Sequence, residues 1–236
     1  MKKFGAAGPQ EWLDCCLTAI AGRGELVSEG DIEALLLAGP SADVLHVADA
    51  EIKKGTPVFI RDLSEWSLVE LRHIQALADE SSALAVGFHP WRRGLKEEFR
   101  PARLIQIDVP LTEPVRWNAW LRHAVDLSLF AADSHNILRV DAKRTVDQSG
   151  LISLLLCTLR FQNGSMCHIS LRATGENEVR IDLPGIQLRT SPEPDEDFVR
   201  QSIHDFIDAK DGLPRLSEAV ASRKIEEKIF SVLRTK

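Results

Sequence analysis

The feature that most constrains this chain is a regular alternation of strand and helix patterns between residues 31 and 88. Asp31–Leu37 carries the run IEALLL, the pattern of a strand buried on both faces. Val44–Lys54 reads as a helix; Lys53 and Lys54 complement the negative end of its dipole, and Gly55 follows as a terminator. Pro57–Arg61 (PVFIR) reads as a strand, Ser64–Asp79 as a longer helix with Ser64 as its N-cap, and Ala83–Phe88 (ALAVGF) as another buried strand. Strand–helix–strand–helix–strand at this pitch predicts a parallel sheet with right-handed crossovers. Upstream, Gln10–Ala21 reads as a short helix with Trp12, Leu13, Cys16, Leu17 and Ile20 on one stripe.

The second part of the chain has a different rhythm. Arg103–Val109, Ile137–Ala142, Leu151–Phe161, Ser165–Ala173 and Glu178–Leu183 read as strands, interrupted by one helix over about Val115–Ala132. Asn163-Gly164 is a strong hairpin signal, and Pro184-Gly185 marks another turn. The expectation is an antiparallel sheet, closed by helices over roughly Asp195–Ala209 and Ser217–Leu233, with an acidic loop at Ser191–Asp197. A two-residue turn at Asn163-Gly164 would put Leu155, Cys157, Leu159 and Phe161 on one face with Met166. Ile152, Leu154 and Leu156 would share the other with Cys167, Ile169 and Leu171. Both faces would then be largely apolar, and covering the second one predicts association with another subunit.

Composition excludes several classes. Apolar residues are 44% and charged residues 27% of the 236, the profile of a globular protein with a substantial core. No apolar run approaches the roughly 18 residues that span a bilayer, and no signal-like apolar stretch follows Lys2 and Lys3, so a cytoplasmic chain without membrane association is expected. The net charge is −6 and the basic residues do not gather in one segment, which argues against nucleic acid. Cys15, Cys16, Cys157 and Cys167 show no CxxC spacing, and His73, His89, His135, His168 and His204 show no ligand spacing, so no metal is expected. Tyrosine is absent, which removes one common catalytic acid.

Taken in order, these segments resemble the Gfo/Idh/MocA oxidoreductases. DIEALLLAGPSADVLH, AEIKKGTPVFIRDL and SLVELRHIQALADESSALAVGF are similar to the second half of that family's nucleotide-binding domain, and the count from Pro40 to Gly55 fits without a gap. RHAVDLSLF resembles the family's H-x-x-D helix, LRFQNGSMCHISLRA its sheet hairpin, and SIHDFIDAKDGLPRLSEAVASRKIEEKIFSVL its closing helical region. The resemblance implies an α/β plus α+β fold. A truncated Rossmann-like parallel-sheet domain over residues 1–90 precedes an antiparallel-sheet domain over 91–236 with helices on one face. It implies a nicotinamide cofactor only if the chemistry survives.

The departures are concentrated where the family works. The glycine-rich turn that cradles pyrophosphate has only Gly5-Ala6-Ala7-Gly8-Pro9 to offer, and Met1–Phe4 is short for a central strand ahead of it. Glu25 and Glu29 are the available ribose-binding acids, with no clear second strand before them. Gly5, Gly8 and Pro40 are thus candidate remnants of a cofactor site. The family's E-K-P aligns with Arg61, Asp62 and Leu63, so the resemblance places an aspartate where a lysine meets substrate and nicotinamide. The His of the T-P-x-x-x-H turn is replaced by Val44, with His46 two residues on, and the Asp one turn before His123 is replaced by Ala119.

His123 and Asp126 remain as the candidate catalytic pair: an imidazole can transfer protons near neutral pH, and Asp126 either orients it or holds the fold. Arg61, Asp62, Arg92 and Trp120 are candidates for a ligand cleft; Arg93 shares the position of Arg92, and Trp91 and Trp117 that of Trp120. Each has a packing or surface reading beside it. Three functions follow: a non-catalytic binding subunit, forming a homo-oligomer through its sheet or joining an intact homologue; an NAD(P)-dependent oxidoreductase on a sugar, polyol or related carbonyl compound; or a sugar-like ligand-binding module without turnover.

Overall fold

The computed structural model describes residues 1–28, 30–92, 100–111, 116–173, 178–191, 196–209 and 213–234. Glu29, Arg93, Val115, part of the acidic loop at 191–197 and Gly212 lie outside them. The chain forms two compact units, Met1–His89 with Pro194–Val220, and Pro90–Glu193 with Ala221–Lys236. The single cut expected at residue 90 therefore has a return: a later segment comes back to the first unit.

In the first unit, the elements are β1 (Lys2–Ala7), α1 (Gln10–Ile20), β2 (Gly24–Leu26), β3 (Ala34–Leu37), α2 (Ala42–Ile52), β4 (Val58–Ile60), α3 (Leu68–Ser81) and β5 (Ala85–Gly87), joined later by α5 (Glu196–Ile207). The strands make one five-stranded sheet in the order β2-β1-β3-β4-β5, all parallel. Two strands exceed the expectation. Residues 2–7 form a full strand in the interior of the sheet, and Gly24–Leu26 pairs beside it. Small residues permit this: a Cβ on Gly5 would lie 2.6 Å from Ile32 Cδ1, and one on Gly24 would lie 2.4 Å from the Lys2 carbonyl oxygen.

The sheet is covered on both sides, as a parallel sheet requires. Leu35, Leu37, Val58 and Ile60 face α2, α3 and the residues Leu216, Ala219 and Val220. Phe4, Leu36, Phe59 and Val86 face α1 and α5 through Trp12, Cys16, Val199, Ile203 and Phe206. The N-cap of α3 is Ser67, three residues beyond the expected Ser64. Ser67 Oγ accepts from Glu70 N–H while Glu70 accepts from Ser67 N–H, a complete capping box.

The second unit holds β6 (Leu104–Pro110), α4 (Trp117–Ala132), β7 (Ile137–Val146), β8 (Ile152–Phe161), β9 (Met166–Arg172), β10 (Val179–Leu183) and β11 (Ile186–Thr190). It also holds the later turns of α6 (Leu216–Arg234). The six strands run β11-β10-β6-β9-β8-β7. β6 and β9 are parallel, so the sheet is mixed, where an antiparallel sheet was expected. Ile105, Ile107, Leu155, Leu159, Ile169 and Leu171 face α4 and the α6 residues Ile225, Ile229 and Leu233.

The β8–β9 turn corrects the expected register. Arg160 pairs with Met166, and Phe161 N–H donates to the Ser165 carbonyl at 2.9 Å, so Gln162-Asn163-Gly164 is a three-residue loop. One extra loop residue moves the whole of β9 to the opposite face. Cys167, Ile169 and Leu171 therefore point inward with Leu155, Cys157, Leu159 and Phe161. The outer face carries Leu154, Leu156, Thr158, Arg160, Met166, His168, Ser170 and Arg172. It is mixed: Leu104, Leu154, Leu156 and Met166 stand among polar and charged side chains, so it is less apolar than the expected register implied.

The register is testable. Ile169→Lys buries a charge against the helices and should destabilise the second unit by about 3–5 kcal/mol. Leu156, 44% exposed on the outer face, should tolerate the same change to within about 0.5 kcal/mol. Urea unfolding read by tryptophan fluorescence separates the two, because the expected register would make them respond alike.

Candidate functional site

A doubly wound sheet binds ligands beyond the carboxyl ends of its strands, where the strand order reverses. Here that point lies between β1, from which the chain passes to β2 on one side, and β3, which leads to β4 and β5 on the other. Gly8-Pro9 follows β1, Ala38-Gly39-Pro40 follows β3, and Arg61-Asp62 follows β4.

Gly8 is fixed by this geometry. Its φ is +152°, and a Cβ would lie 2.7 Å from the Ala38 carbonyl oxygen and 2.8 Å from Trp12 Cδ1. A G-x-G-x-x-G fingerprint starting at Gly8 falls on Gly8-Pro9-Gln10-Glu11-Trp12-Leu13, so only its first glycine is present. Gln10 stands where backbone should approach a pyrophosphate, and Leu13 where a glycine should allow close helix packing. Pro9 supplies no N–H, and Glu11 puts a carboxylate in the first turn of α1, at the positive end that would otherwise attract phosphate. Gly5 lies inside β1 and not in the turn.

Trp12 fills the space beneath that turn. It is fully buried, its Nε1–H donates to the Leu36 carbonyl at 3.3 Å, and its ring stacks on Phe59 at 6.4 Å between centroids. The Arg61 guanidinium lies 5.6 Å above the same ring. Arg61 and Trp12 thus meet at the strand ends, an association the sequence did not disclose. The signal available was a bulky indole in the first turn after the first strand. Asp62 Oδ1 accepts from Ser64 N–H at 2.8 Å, so this carboxylate shapes a turn. Leu63 is buried and occupies the place a Cβ of Gly87 would take, with Cδ1 only 2.0 Å from it. Pro40 is half-buried and precedes Ser41, whose Oγ accepts from Val44 N–H to cap α2.

The second unit brings other candidates together on and beside α4. Trp91 stacks on Trp120 at 6.1 Å and 12°, and His123 is tilted against both rings, at 5.3 and 6.2 Å. Arg116 lies 5.6 Å over Trp120. Both carboxylate oxygens of Asp126 are held by Arg92, whose Nε donates at 2.7 Å and Nη2 at 2.5 Å; both side chains are buried. Arg92 also lies 4.8 Å over Phe130. His123 and Asp126 are one helical turn apart, but the fork-to-fork pair with Arg92 makes Asp126 a packing element first. Trp91 and Trp120 are both buried in the core of the second unit, so their stack is a packing element, with half-buried His123 against it.

Further titratable groups are structural. Arg122 Nε donates to both oxygens of the buried Glu226, at 2.9 and 3.0 Å, and Arg223 Nη1 donates to Glu226 Oε2. Burial pushes the Glu226 carboxyl up to about 7, further than Arg223 draws it down. Burial also raises the thiols of Cys15, Cys16, Cys157 and Cys167, so none is a ready nucleophile near neutral pH. His73 Nε2 lies 2.8 Å from Asp49 Oδ1, His168 Nδ1 3.0 Å from Thr158 Oγ1, and His204 Nε2 2.6 Å from the Ala19 carbonyl oxygen. Among the described residues no group of three His, Cys, Asp or Glu could hold a metal ion, and no helix is long and apolar enough to cross a membrane.

Two outcomes follow from the buried pairs. Arg92→Ala takes the guanidinium from a buried carboxylate and should cost about 3–5 kcal/mol, whereas Arg92→Met with Asp126→Leu should recover most of it; urea denaturation measures both. Glu226 binds its proton more tightly folded than unfolded, since its pKa is raised from 4.5. That stabilisation is complete below about 4.5 and is lost as pH rises through about 7. Relative to Glu226→Gln, the native chain should therefore lose on the order of 1–3 kcal/mol across that window.

No protein-family model matches the sequence, and no curated relative is found by sequence. Solved structures do match. The fold is similar to UDP-N-acetylglucosamine 3-dehydrogenase GnnA from Acidithiobacillus ferrooxidans, with a TM-score of 0.74 at 12% identity over 99% of this chain and 98% of that one. It is similar to the WlbA dehydrogenase from Bordetella pertussis, solved with NADH and UDP-GlcNAcA, with a TM-score of 0.72 at 18% identity over 99% and 97%. It is also similar to scyllo-inositol dehydrogenase from Lactobacillus casei, solved with NAD(H) and scyllo-inositol, with a TM-score of 0.69 at 12% identity over 100% and 97%. The structural neighbours are dehydrogenases of the Gfo/Idh/MocA type, and this chain has their fold: a five-stranded parallel Rossmann-like sheet followed by a mixed sheet with helices.

Proposed function

We propose that this chain is a shortened, divergent relative of the Gfo/Idh/MocA oxidoreductases that has lost nicotinamide binding and acts in the cytoplasm as a non-catalytic binding subunit. The observation that carries this reading is the first turn of α1. Gly8-Pro9-Gln10-Glu11-Trp12 places a proline, a carboxylate and a buried indole where a dinucleotide needs free N–H groups, positive potential and close backbone approach. The residues present do not fit the cofactor, and no step is assigned to it. Two further features support the loss. The passage from β2 to β3 takes only residues 27–33, where a full dinucleotide domain carries a further strand with its helices. Asp62, at the position resembling the family lysine, holds the Ser64 N–H.

A second reading keeps the ligand and drops the turnover. Its support is half-buried His123 with exposed Arg116 at the start of α4; the Trp91–Trp120 stack they pack against is buried and belongs to the core. The oxidoreductase reading, with His123 as the proton donor, draws its support from neighbours solved with NADH or NAD(H). It requires a cofactor to displace Trp12 and Glu11.

Titration of the purified chain with NADH and NADPH by calorimetry decides between them. The expected dissociation constant is weaker than about 100 µM, roughly −5.5 kcal/mol; tighter binding overturns the proposal. Arg61→Glu, Asp62→Lys and Leu63→Pro together should yield no nicotinamide-dependent turnover, because the first turn of α1 is unchanged. If they do yield it, the cofactor site is intact and the proposal fails.

A further inference from the structure

The sequence contains one Asn-Gly pair, Asn163-Gly164, and the fold ties a helix end to it. An asparagine followed by glycine carries its own electrophile and nucleophile. The side-chain carbon Cγ is open to attack by the next backbone nitrogen, and a glycine there, having no Cβ, does not hinder the approach. Both residues are exposed, so water reaches them.

What surrounds the amide makes its loss matter. α4 ends at Ala132, where the last carbonyl groups of a helix need donors from outside it. Arg100 Nε donates to the Phe130 carbonyl at 2.8 Å, Ala102 N–H to that of Ala131 at 2.8 Å, and Asn163 Nδ2 to that of Ala132 at 2.7 Å. Asn163 thereby ties the β8–β9 loop to the end of α4. Its Oδ1 accepts from Ser165 N–H at 3.0 Å, and its backbone carbonyl accepts from Arg103 Nη1. Gly164 N–H, the group that would attack, donates to the Phe161 carbonyl at 3.1 Å. The closed loop thus engages both reacting groups in other bonds, and opening it frees them together. An exposed loop held by a few hydrogen bonds opens far more often than the whole unit unfolds.

From this arrangement we propose that Asn163 is a modification site, at which loss of ammonia turns the amide into a carboxylate and releases the β8–β9 loop from α4. The Gly164 nitrogen bonds to Asn163 Cγ, the Cγ–Nδ2 bond breaks, and the Gly164 amide proton leaves with the nitrogen as ammonia. Water then opens the succinimide at either of its carbonyl groups, giving aspartate or isoaspartate. One water is consumed and one ammonia released; nothing is oxidised or reduced. The product has no donor for the Ala132 carbonyl, which loses its partner. It also sets a negative charge at the negative end of the α4 dipole, beside Asp133. The modified loop cannot remake the bond that protected it, so the change runs one way. Asn163, Gly164 and every group named around them lie in the second unit, and the proposal stands whether or not the chain binds NADH.

The test incubates the full chain in mildly alkaline buffer, well below its melting temperature, and follows the peptide that holds Asn163 by mass spectrometry. Asn163 should convert in the folded chain, about tenfold or more slowly than in urea. Arg103→Ala frees the Asn163 carbonyl and should speed conversion about fivefold in the folded chain, with no change in urea. Asn136, exposed but followed by the β-branched Ile137, should keep its amide over the same period. Asn163→Asp should lower the melting temperature by about 3–8 °C, and native chain aged in the buffer and separated by charge should show the same fall. The proposal is overturned by absent conversion in the folded chain, by equal rates folded and in urea, by an Arg103→Ala chain that converts no faster, by Asn136 converting as fast as Asn163, or by an aged chain with an unchanged melting temperature.

Discussion

A parallel sheet must be covered on both faces, and the way this chain covers its first sheet governs most of what the first unit can do. One face is closed by α2 and α3, which follow directly from the alternation of residues 34–81. The other is closed by α1 together with α5, a helix supplied from more than a hundred residues downstream of the sheet. Between them Trp12, Phe59 and Phe206 form a continuous aromatic contact, with centroids 6.4 and 5.7 Å apart. Such rings bury large areas, and their packing is favourable beyond area alone. Packing that side so fully puts an indole under the Gly8 turn. Stability of this layer rests on filling the volume beneath that turn.

The second unit answers a different constraint. Its sheet hides one face, so its interior is a single apolar layer under α4 and α6, crossed by two sets of buried charges. Arg92 with Asp126 and Arg122 with Glu226 and Arg223 are linked by charge-assisted bonds. Buried pairs of this kind add little net stability over apolar residues of the same shape but penalise any arrangement that separates them. The Arg122–Glu226 link selects one seating of α6 on α4, reinforced by Trp117 edge-on to Phe230 at 5.5 Å.

Much of this was legible in the sequence, for reasons that differ by element. β3, α2, β4, α3 and β5 follow from uninterrupted apolar runs and strong punctuation, and the hairpin was visible in Asn163-Gly164. β1 was not. Lys2-Lys3-Phe4-Gly5-Ala6-Ala7 has little intrinsic strand preference and becomes a strand because neighbours on both sides pair with it. Ser64 and Ser67 both looked like caps; Glu70 three residues after Ser67 was the deciding signal. The length of the β8–β9 loop, two residues against three, cannot be read from Asn-Gly alone, yet it reverses which residues of β9 are inside. The candidate residues Arg92 and Asp126 were each visible, but no periodicity links positions 34 apart, so their union was hidden. Of the cofactor remnants, Gly8 and Pro40 sit at strand ends as the resemblance implies, and Gly5 does not.

The four free thiols are distributed so that they report three different events. Cys15 is half-buried on α1, Cys16 is buried beside it under the sheet, and Cys157 and Cys167 lie sealed on the inner face of β8 and β9. Their reaction with a small alkylating reagent is limited by access as much as by acidity. Cys15 can be modified in the native chain, Cys16 only when α1 lifts, and the other pair only when the second sheet parts from its helices. The molecule thus carries, without any engineered label, an internal clock for the separate opening of its two halves.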